Sequence, residues 1–328
     1  MFVAISLVVA AFPNLVYAIV KPVSAFSLKT NVRYRPYGIA TLVLLAIWLL
    51  LFAYGMMYGR FRYEVNRIDY RYDGPAAAIP QGFDGYRIVV ISDLHLDGWK
   101  GHEDKLREIL DTVNRQNADV VFFTGDLVSL DENETDGFAP LLSRIKARDG
   151  VISVMGNHDY MPYNGVPPFH SNVYKKEEIE ALQRVEREDF GWKLLLNQNT
   201  IIRHGGDSIA ILGCENQSMG VHSIIQRGNL SKAMQGTDGM FRILLTHDPS
   251  HWDGEVVGRT DIPLTISGHT HAGQVNIYGI SPAGLALHRL KGQFRHGSQT
   301  LYVNSGLGAA MPMRIGATPE ITVITLRH

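Results

Sequence analysis

The chain has 328 residues, 45% of them hydrophobic, enough for one large domain or two ordinary ones besides any apolar terminus. With 31 basic against 32 acidic side chains the formal net charge is −1, so nothing in the overall balance argues for a nucleic-acid partner, which needs a concentrated basic surface. Cys214, the only cysteine, cannot form an internal disulfide and reads as a small buried apolar residue.

The front of the chain is apolar. From Gly38 to Gly59, "GIATLVLLAIWLLLFAYGMMYG" runs without a charge between Arg35 and Arg60. At about 1.5 Å per residue a helix of that length crosses the ~30 Å hydrocarbon core of a bilayer. Residues 1–20 are also uncharged and read as a first membrane helix rather than a secretory signal, because a basic leading segment and a small-residue cleavage site are both lacking. The expectation is a transmembrane hairpin with helices at about 1–20 and 38–59, forming with its linker an anchor over 1–79. Basic residues are balanced between the linker (Lys21, Lys29, Arg33, Arg35) and the segment after the second helix (Arg60, Arg62, Arg67, Arg71). Nothing basic precedes the first helix, which sets the linker inside and the following domain on the extracytoplasmic side.

Past "DGPAAAIPQGFDG" the texture becomes short apolar runs alternating with amphipathic segments, the pattern of an α/β domain over 80–328. "YRIVVISDLHLD" reads as a strand, "GHEDKLREILDTVNRQN" as a helix, "ADVVFFTGDLV" as a strand, "GFAPLLSRIKA" as a helix and "GVISVMGNHDY" as a strand entering a loop. Residues 175–190 form a solvent-washed helix. Strands then dominate, in "KLLLNQNTIIR", "SIAILGCEN", "FRILLTH", "IPLTISGHTH", "TLYVNSG" and "EITVITL", with one helix placed over 222–235.

The strand ends carry the chemistry. Asp93 and His95, Asp126, Asn157 and His158, His247, and His269 and His271 follow five of these apolar runs. Ligands gather where strands give way to loops, and residues i and i+2 of an extended segment point the same way, so Asp93 with His95 and His269 with His271 can each converge. A lone histidine at a strand end is usually structural, but the set taken jointly is not. Carboxylates, imidazoles and one carboxamide, without thiolate, suit Mn²⁺, Fe²⁺, Zn²⁺ or Mg²⁺, and so many groups would serve two ions ~3.5–4 Å apart bridged by a carboxylate.

The ordered series D-x-H, G-D, G-N-H-D, T-H and G-H-x-H resembles the calcineurin-like metallophosphoesterase superfamily over nearly all of residues 86–275. The tail "YVNSGLGAAMPMRIGATPEITVITL" resembles that of its bacterial membrane-associated phosphodiesterase branch, which includes UDP-diacylglucosamine hydrolases. The resemblance implies a four-layer α/β/β/α sandwich with a two-metal centre. Asp93, His95 and His271 would hold one ion, Asn157, His247 and His269 the other, with Asp126 bridging and His158 as the acid. It implies hydrolysis of a phosphodiester or pyrophosphate, in a lipid-linked or nucleotide-linked substrate at a bacterial cell membrane, by a hydroxide between the ions. Where many members carry an acidic partner for the catalytic histidine, three residues after the bridging Asp, this chain has Ser129; Asp131 and Asp159 are the candidate substitutes, Asp159 equally a loop-stabilising residue.

Residues 160–174, "YMPYNGVPPFHSNVY", are expected to wall the site. Arg314 is expected to pair with a surface carboxylate rather than a phosphate, and His251, four residues after His247, is the unassigned histidine expected nearest the centre. No P-loop, G-x-S-x-G elbow or G-x-G-x-x-G occurs, which removes NTPase, serine-hydrolase and dinucleotide readings. The alternatives are a broad-specificity phosphomonoesterase and a catalytically silent metal-binding membrane protein.

Overall fold

The computed structural model describes residues 2–163, 176–219, 225–309 and 311–328. The chain divides into two compact units, residues 1–59 and 60–328.

The first unit is a pair of helices, α1 (Phe2–Val23) and α2 (Arg35–Met57). Segments Ile5–Leu28 and Arg35–Phe61 are long and apolar enough to cross a membrane, and only 6% and 11% of their most apolar stretches is buried within the protein. Leu7, Val8, Phe12, Leu42 and Leu50 are accordingly exposed, whereas a core helix of a water-soluble domain would be covered. Polar groups on the pair satisfy one another: Trp48 Nε1 donates to Ser6 Oγ at 2.9 Å, and Tyr34 OH donates to Asn14 Oδ1 at 2.7 Å.

The second unit starts ahead of residue 80. Glu64–Arg71, assigned by its sequence to the linker, is strand β1, paired in parallel with the last strand, β12 (Glu320–Arg327). Along β1 only Tyr70 is buried, so no apolar period announces it. Between them run β2 (Arg87–Ile91), α3 (Glu103–Arg115), β3 (Val120–Phe123), α4 (Ala139–Leu142), β4 (Val151–Ser153), α5 (Lys176–Arg184), β5 (Lys193–Leu194), β6 (Gln198–His204), β7 (Asp207–Gly213), α6 (Leu230–Ala233), β8 (Phe241–Leu245), β9 (Leu264–Ser267), β10 (Gly292–His296) and β11 (Gln299–Val303). Two six-stranded mixed sheets result, ordered β1-β12-β2-β3-β4-β5 and β10-β11-β9-β8-β7-β6.

Strand alternation stacks these sheets face to face. Ile88 and Val90 of β2, with Phe122 of β3, meet Ile243, Leu245 and Ile266 of the second sheet in a central apolar layer. Val89, Ile91 and Phe123 point the other way, onto Leu106, Ile109 and Val113 of α3. On the far side Leu212, Leu244 and Val303 pack against Leu230, Trp252 and Val256. Three apolar layers between four layers of structure make the expected α/β/β/α sandwich. Two helices are shorter than their sequence patterns: α4 covers four residues of 137–147, and of 222–235 the described part is helical only over Leu230–Ala233. The parallel strands β2, β3, β4, β8 and β9 run the same way within their sheets, so their carboxyl ends and following loops gather along one edge.

Candidate metal centre

Every one of the eight residues picked out by sequence lies on that edge, beyond the end of a parallel strand. Asp93, His95, Asp126 and His271 each present one ligand atom, all within 4.8 Å of one another; Asp126, His247 and His269 do the same. Asp126 belongs to both groups. Asn157 and His158 join them through the backbone, since the His158 N–H donates to Asp126 Oδ1 at 2.9 Å.

The backbone is not extended there. Asp93, His95, Asp126, His269 and His271 have φ of 53°, 47°, 58°, 74° and 50°. Convergence of each i, i+2 pair therefore comes from left-handed turns rather than from strand geometry, at a steric cost for non-glycine residues. Close approach does the rest: a methyl group on Gly156 would run into the Asp126 carboxylate, and one on Gly268 into Ser92 and Asp93.

The donor set fits divalent cations. His247 Nδ1 donates to the Thr124 carbonyl at 2.7 Å, so its Nε2, 3.0 Å from Asp126 Oδ2, either carries a second proton for that carboxylate or offers its lone pair to a cation beside it. Burial disfavours the imidazolium of His247, yet the Asp126 carboxylate overrides this and raises its pKa. His95 Nε2 and Asn157 Oδ1 are buried and make no hydrogen bond, although Asn157 Nδ2 donates to Tyr163 OH at 2.9 Å. Burial, and then the neighbouring imidazoles and Arg314, hold His95 and His271 well below the ordinary histidine range, in the neutral form that ligates metals. Asp93 accepts the His269 N–H on both oxygens, at 3.0 and 3.1 Å, which ties the two sheets together at the centre.

Buried groups behind the cluster hold its loops. Asp159 accepts from the backbone N–H groups of Asp126, Leu127, Val128 and Gly156 at 2.7–3.2 Å, which makes it the loop-stabilising residue and not the partner of His158. Asp131 caps the turn over residues 132–135. His158 instead donates from Nδ1 to the backbone carbonyl of Ser129 at 2.7 Å, and its Nε2 has no hydrogen-bond partner among the described residues. Arg314 does not pair with a surface carboxylate. It is 1% exposed and donates to the carbonyls of His271 and Ser305, both at 2.8 Å, and to that of Gly308. His251 is in neither ligand group, its ring held between Thr246 Oγ1 at 2.8 Å and Glu255 Oε2 at 3.3 Å.

Asp248 was missed by sequence reading, though it directly follows His247 in "THD". It is buried with its Oδ2 3.8 Å from His269 Nε2. Asp248 and His269 open a cavity of about 440 Å³ whose other walls include Pro249, Leu285, Leu287 and Arg289. Of the expected wall at 160–174, residues 164–174 lie outside the described residues; the Tyr163 ring lies tilted against that of His158, 4.4 Å between centroids.

Comparison with known proteins agrees with this geometry. Residues 86–273 match the family model for calcineurin-like phosphoesterases. The chain is 34% identical over 263 residues to the metallophosphoesterase YkuE of Bacillus subtilis, covering 77% of this chain and 82% of that protein. It is 27% identical to YkoQ of the same organism, over 72% of this chain and 81% of the relative. A transmembrane protein with metallophosphoesterase domain from Danio rerio is 32% identical over 77% of this chain, which spans 56% of that longer protein. An Asp/His cluster at the carboxyl ends of two stacked sheets, the matched family model and these relatives lead to one assignment: the chain belongs to the calcineurin-like phosphoesterases, a family of metal-dependent phosphoester hydrolases.

Proposed function

We propose that this protein is a membrane-anchored two-metal phosphodiesterase or pyrophosphatase whose substrate carries an apolar substituent. The observation that carries the two-metal reading is Asp126, the carboxylate common to both ligand groups. Asp93, His95 and His271 would hold one ion, and Asn157, His247 and His269 the other. Mn²⁺, Fe²⁺, Zn²⁺ and Mg²⁺ all suit these donors. Two such ions supply a water of lowered pKa and offset charge on the phosphoryl oxygens.

The protein's own residues do the remainder. His158, oriented by the Ser129 carbonyl, carries a proton on Nε2 toward the departing oxygen. Asp93, by gripping the His269 N–H, keeps the ligands of the two sheets in one register. The cavity beside Asp248 and His269 supports an apolar substituent, since Pro249, Leu285 and Leu287 line it and its volume falls in the range of small-molecule sites. The two uncovered apolar helices support a bilayer location, crossed twice, which brings the site within reach of lipid-linked phosphoesters; we place the catalytic unit on the extracytoplasmic side.

The test is hydrolysis of bis(p-nitrophenyl) phosphate and p-nitrophenyl phosphate by the detergent-solubilised full chain, stripped of metal and titrated with Mn²⁺. Metal-dependent turnover favouring the diester is expected. His158→Ala lowers kcat by roughly 10²–10⁴-fold while the bound Mn²⁺ stays at the wild-type level. Preference for the monoester would replace this reading with that of a phosphomonoesterase, and metal uptake without turnover of any phosphoester would replace it with a silent binding role.

A further inference from the structure

His95 is held differently from its neighbours. His247 and His158 give their Nδ1 protons to backbone carbonyls, whereas His95 Nδ1 lies 3.0 Å from a side chain, the Ser129 hydroxyl. That hydroxyl is itself 2.6 Å from Asp97 Oδ1. A serine hydroxyl has a single proton and the Asp97 carboxylate can only accept, so Ser129 donates to Asp97 and turns a lone pair toward His95. His95 must then carry its hydrogen on Nδ1. Its Nε2, 0% exposed, without a hydrogen bond and 3.6 Å from Asp126 Oδ2, is left as a bare lone pair in the cluster.

We infer that Ser129 and Asp97 are positioning residues, forming a His95–Ser129–Asp97 relay that fixes the tautomer and ring orientation His95 needs to ligate an ion through Nε2. The inference rests on the reading of His95 as a metal ligand. The relay also explains why a serine serves at position 129. Its backbone carbonyl aims one histidine, its hydroxyl aims a second, and the carboxylate arrives from the loop after β2. Glu134 keeps the two relay residues in register, since its Oε2 accepts the Ser129 N–H at 2.7 Å and the Asp97 N–H at 3.3 Å. Partners of this kind behind a metal-bound imidazole are typically worth 10–100-fold in metal affinity.

The experiment uses the full chain in detergent, stripped of metal, with Mn²⁺ binding followed by calorimetry and by the electron paramagnetic resonance signal of free Mn²⁺. Ser129→Ala weakens one of the two ions about 10–100-fold and leaves the other at wild-type affinity; Ser129→Thr, which keeps the hydroxyl, recovers binding to within about threefold. Asp97→Ala, at an exposed position, weakens the same ion because the freed hydroxyl can turn its proton onto His95 Nδ1, but by a smaller factor than Ser129→Ala because that hydroxyl can still accept the Nδ1 proton. Long-range ¹H–¹⁵N spectra of the metal-free protein read the tautomer directly. Wild type shows His95 protonated on Nδ1, and Asp97→Ala shifts it toward Nε2.

Wild-type affinity for both ions in Ser129→Ala and Asp97→Ala, with an unchanged His95 tautomer, overturns the relay. Should wild type itself take up no Mn²⁺, the ligand reading fails on its own. A mixture of His95 tautomers in the wild-type spectrum then overturns the relay separately.

Discussion

The two sheets deliver their halves of the metal centre in opposite ways. Loops of the first sheet leave backbone N–H groups turned inward, and buried carboxylates collect them: Asp159 takes those of Asp126, Leu127, Val128 and Gly156, and Glu134 takes those of Ser129 and Leu130. Loops of the second sheet, with the segment after β11, turn carbonyl groups inward, and the guanidinium of Arg314 collects those of His271, Ser305 and Gly308. Buried backbone groups must be paired, so the kind of group left over dictates the sign of the brace. The centre thus sits between an anionic brace and a cationic one, and each half should fail in its own manner.

Asp126, delivered by the first sheet, is common to both ligand groups, and its loss should have the largest effect. Asp126→Asn, which tolerates the same left-handed backbone, is expected to remove both ions and all metal-dependent turnover while the melting curve stays cooperative; retention of two ions by elemental analysis would refute the shared role. Breaking the anionic brace comes next. Asp159→Ala strands four N–H groups and should lower the unfolding free energy by about 3 kcal/mol or more, read from the urea midpoint.

Arg314→Lys keeps the charge and loses the fork. It should weaken only the ion at Asp93, His95 and His271, by about tenfold in a Mn²⁺ titration, with the site at His247 and His269 unaffected. Equal weakening of both would mean that the two halves are not braced independently.

The smallest effect concerns a further carboxyl group on the first side. Glu186 is fully buried, 2.6 Å from Ser153 Oγ at the end of β4, and burial, reinforced by Asp159, pushes its pKa up to about 8. The native state then keeps a proton that the unfolded chain releases above its ordinary pKa near 4.5. Its contribution to stability is whole below that value and is lost as pH rises toward about 8. Glu186→Gln should flatten the decline in melting temperature across this window; an unchanged slope would assign the decline to other groups.

That these eight residues gather at one edge was legible because each follows an apolar run and because the types of side chain are chemically eloquent. The sandwich was legible for the same reason, since strands buried on both faces read as continuous Val, Ile, Leu and Phe. What stayed hidden depends on partners that a one-letter code does not display. Arg314 binds carbonyl oxygens, which every residue owns, so nothing in "MPMRIG" distinguishes it from a surface cation. Ser129 orients His158 through its backbone, an interaction open to any residue at that position. Strand β1 is held by pairing with β12, more than two hundred residues away, and shows water a largely polar outer edge. Asp248 could have been found, since it adjoins a ligand histidine, but a carboxylate in a turn is too common to stand out.

The left-handed backbone at Asp93, His95, Asp126, His269 and His271 bears on how such a chain evolves. Each of these residues holds a conformation that costs an ordinary side chain roughly 1 kcal/mol or more and that glycine adopts freely. Selection for durability alone would therefore press on these positions, toward glycine or asparagine wherever the side chain makes no hydrogen bond that the fold needs. A descendant released from its substrate should drift toward a sturdier and emptier protein. Aspartate and histidine at these five positions mark places where the chemistry of the side chain is set against the ease of the backbone.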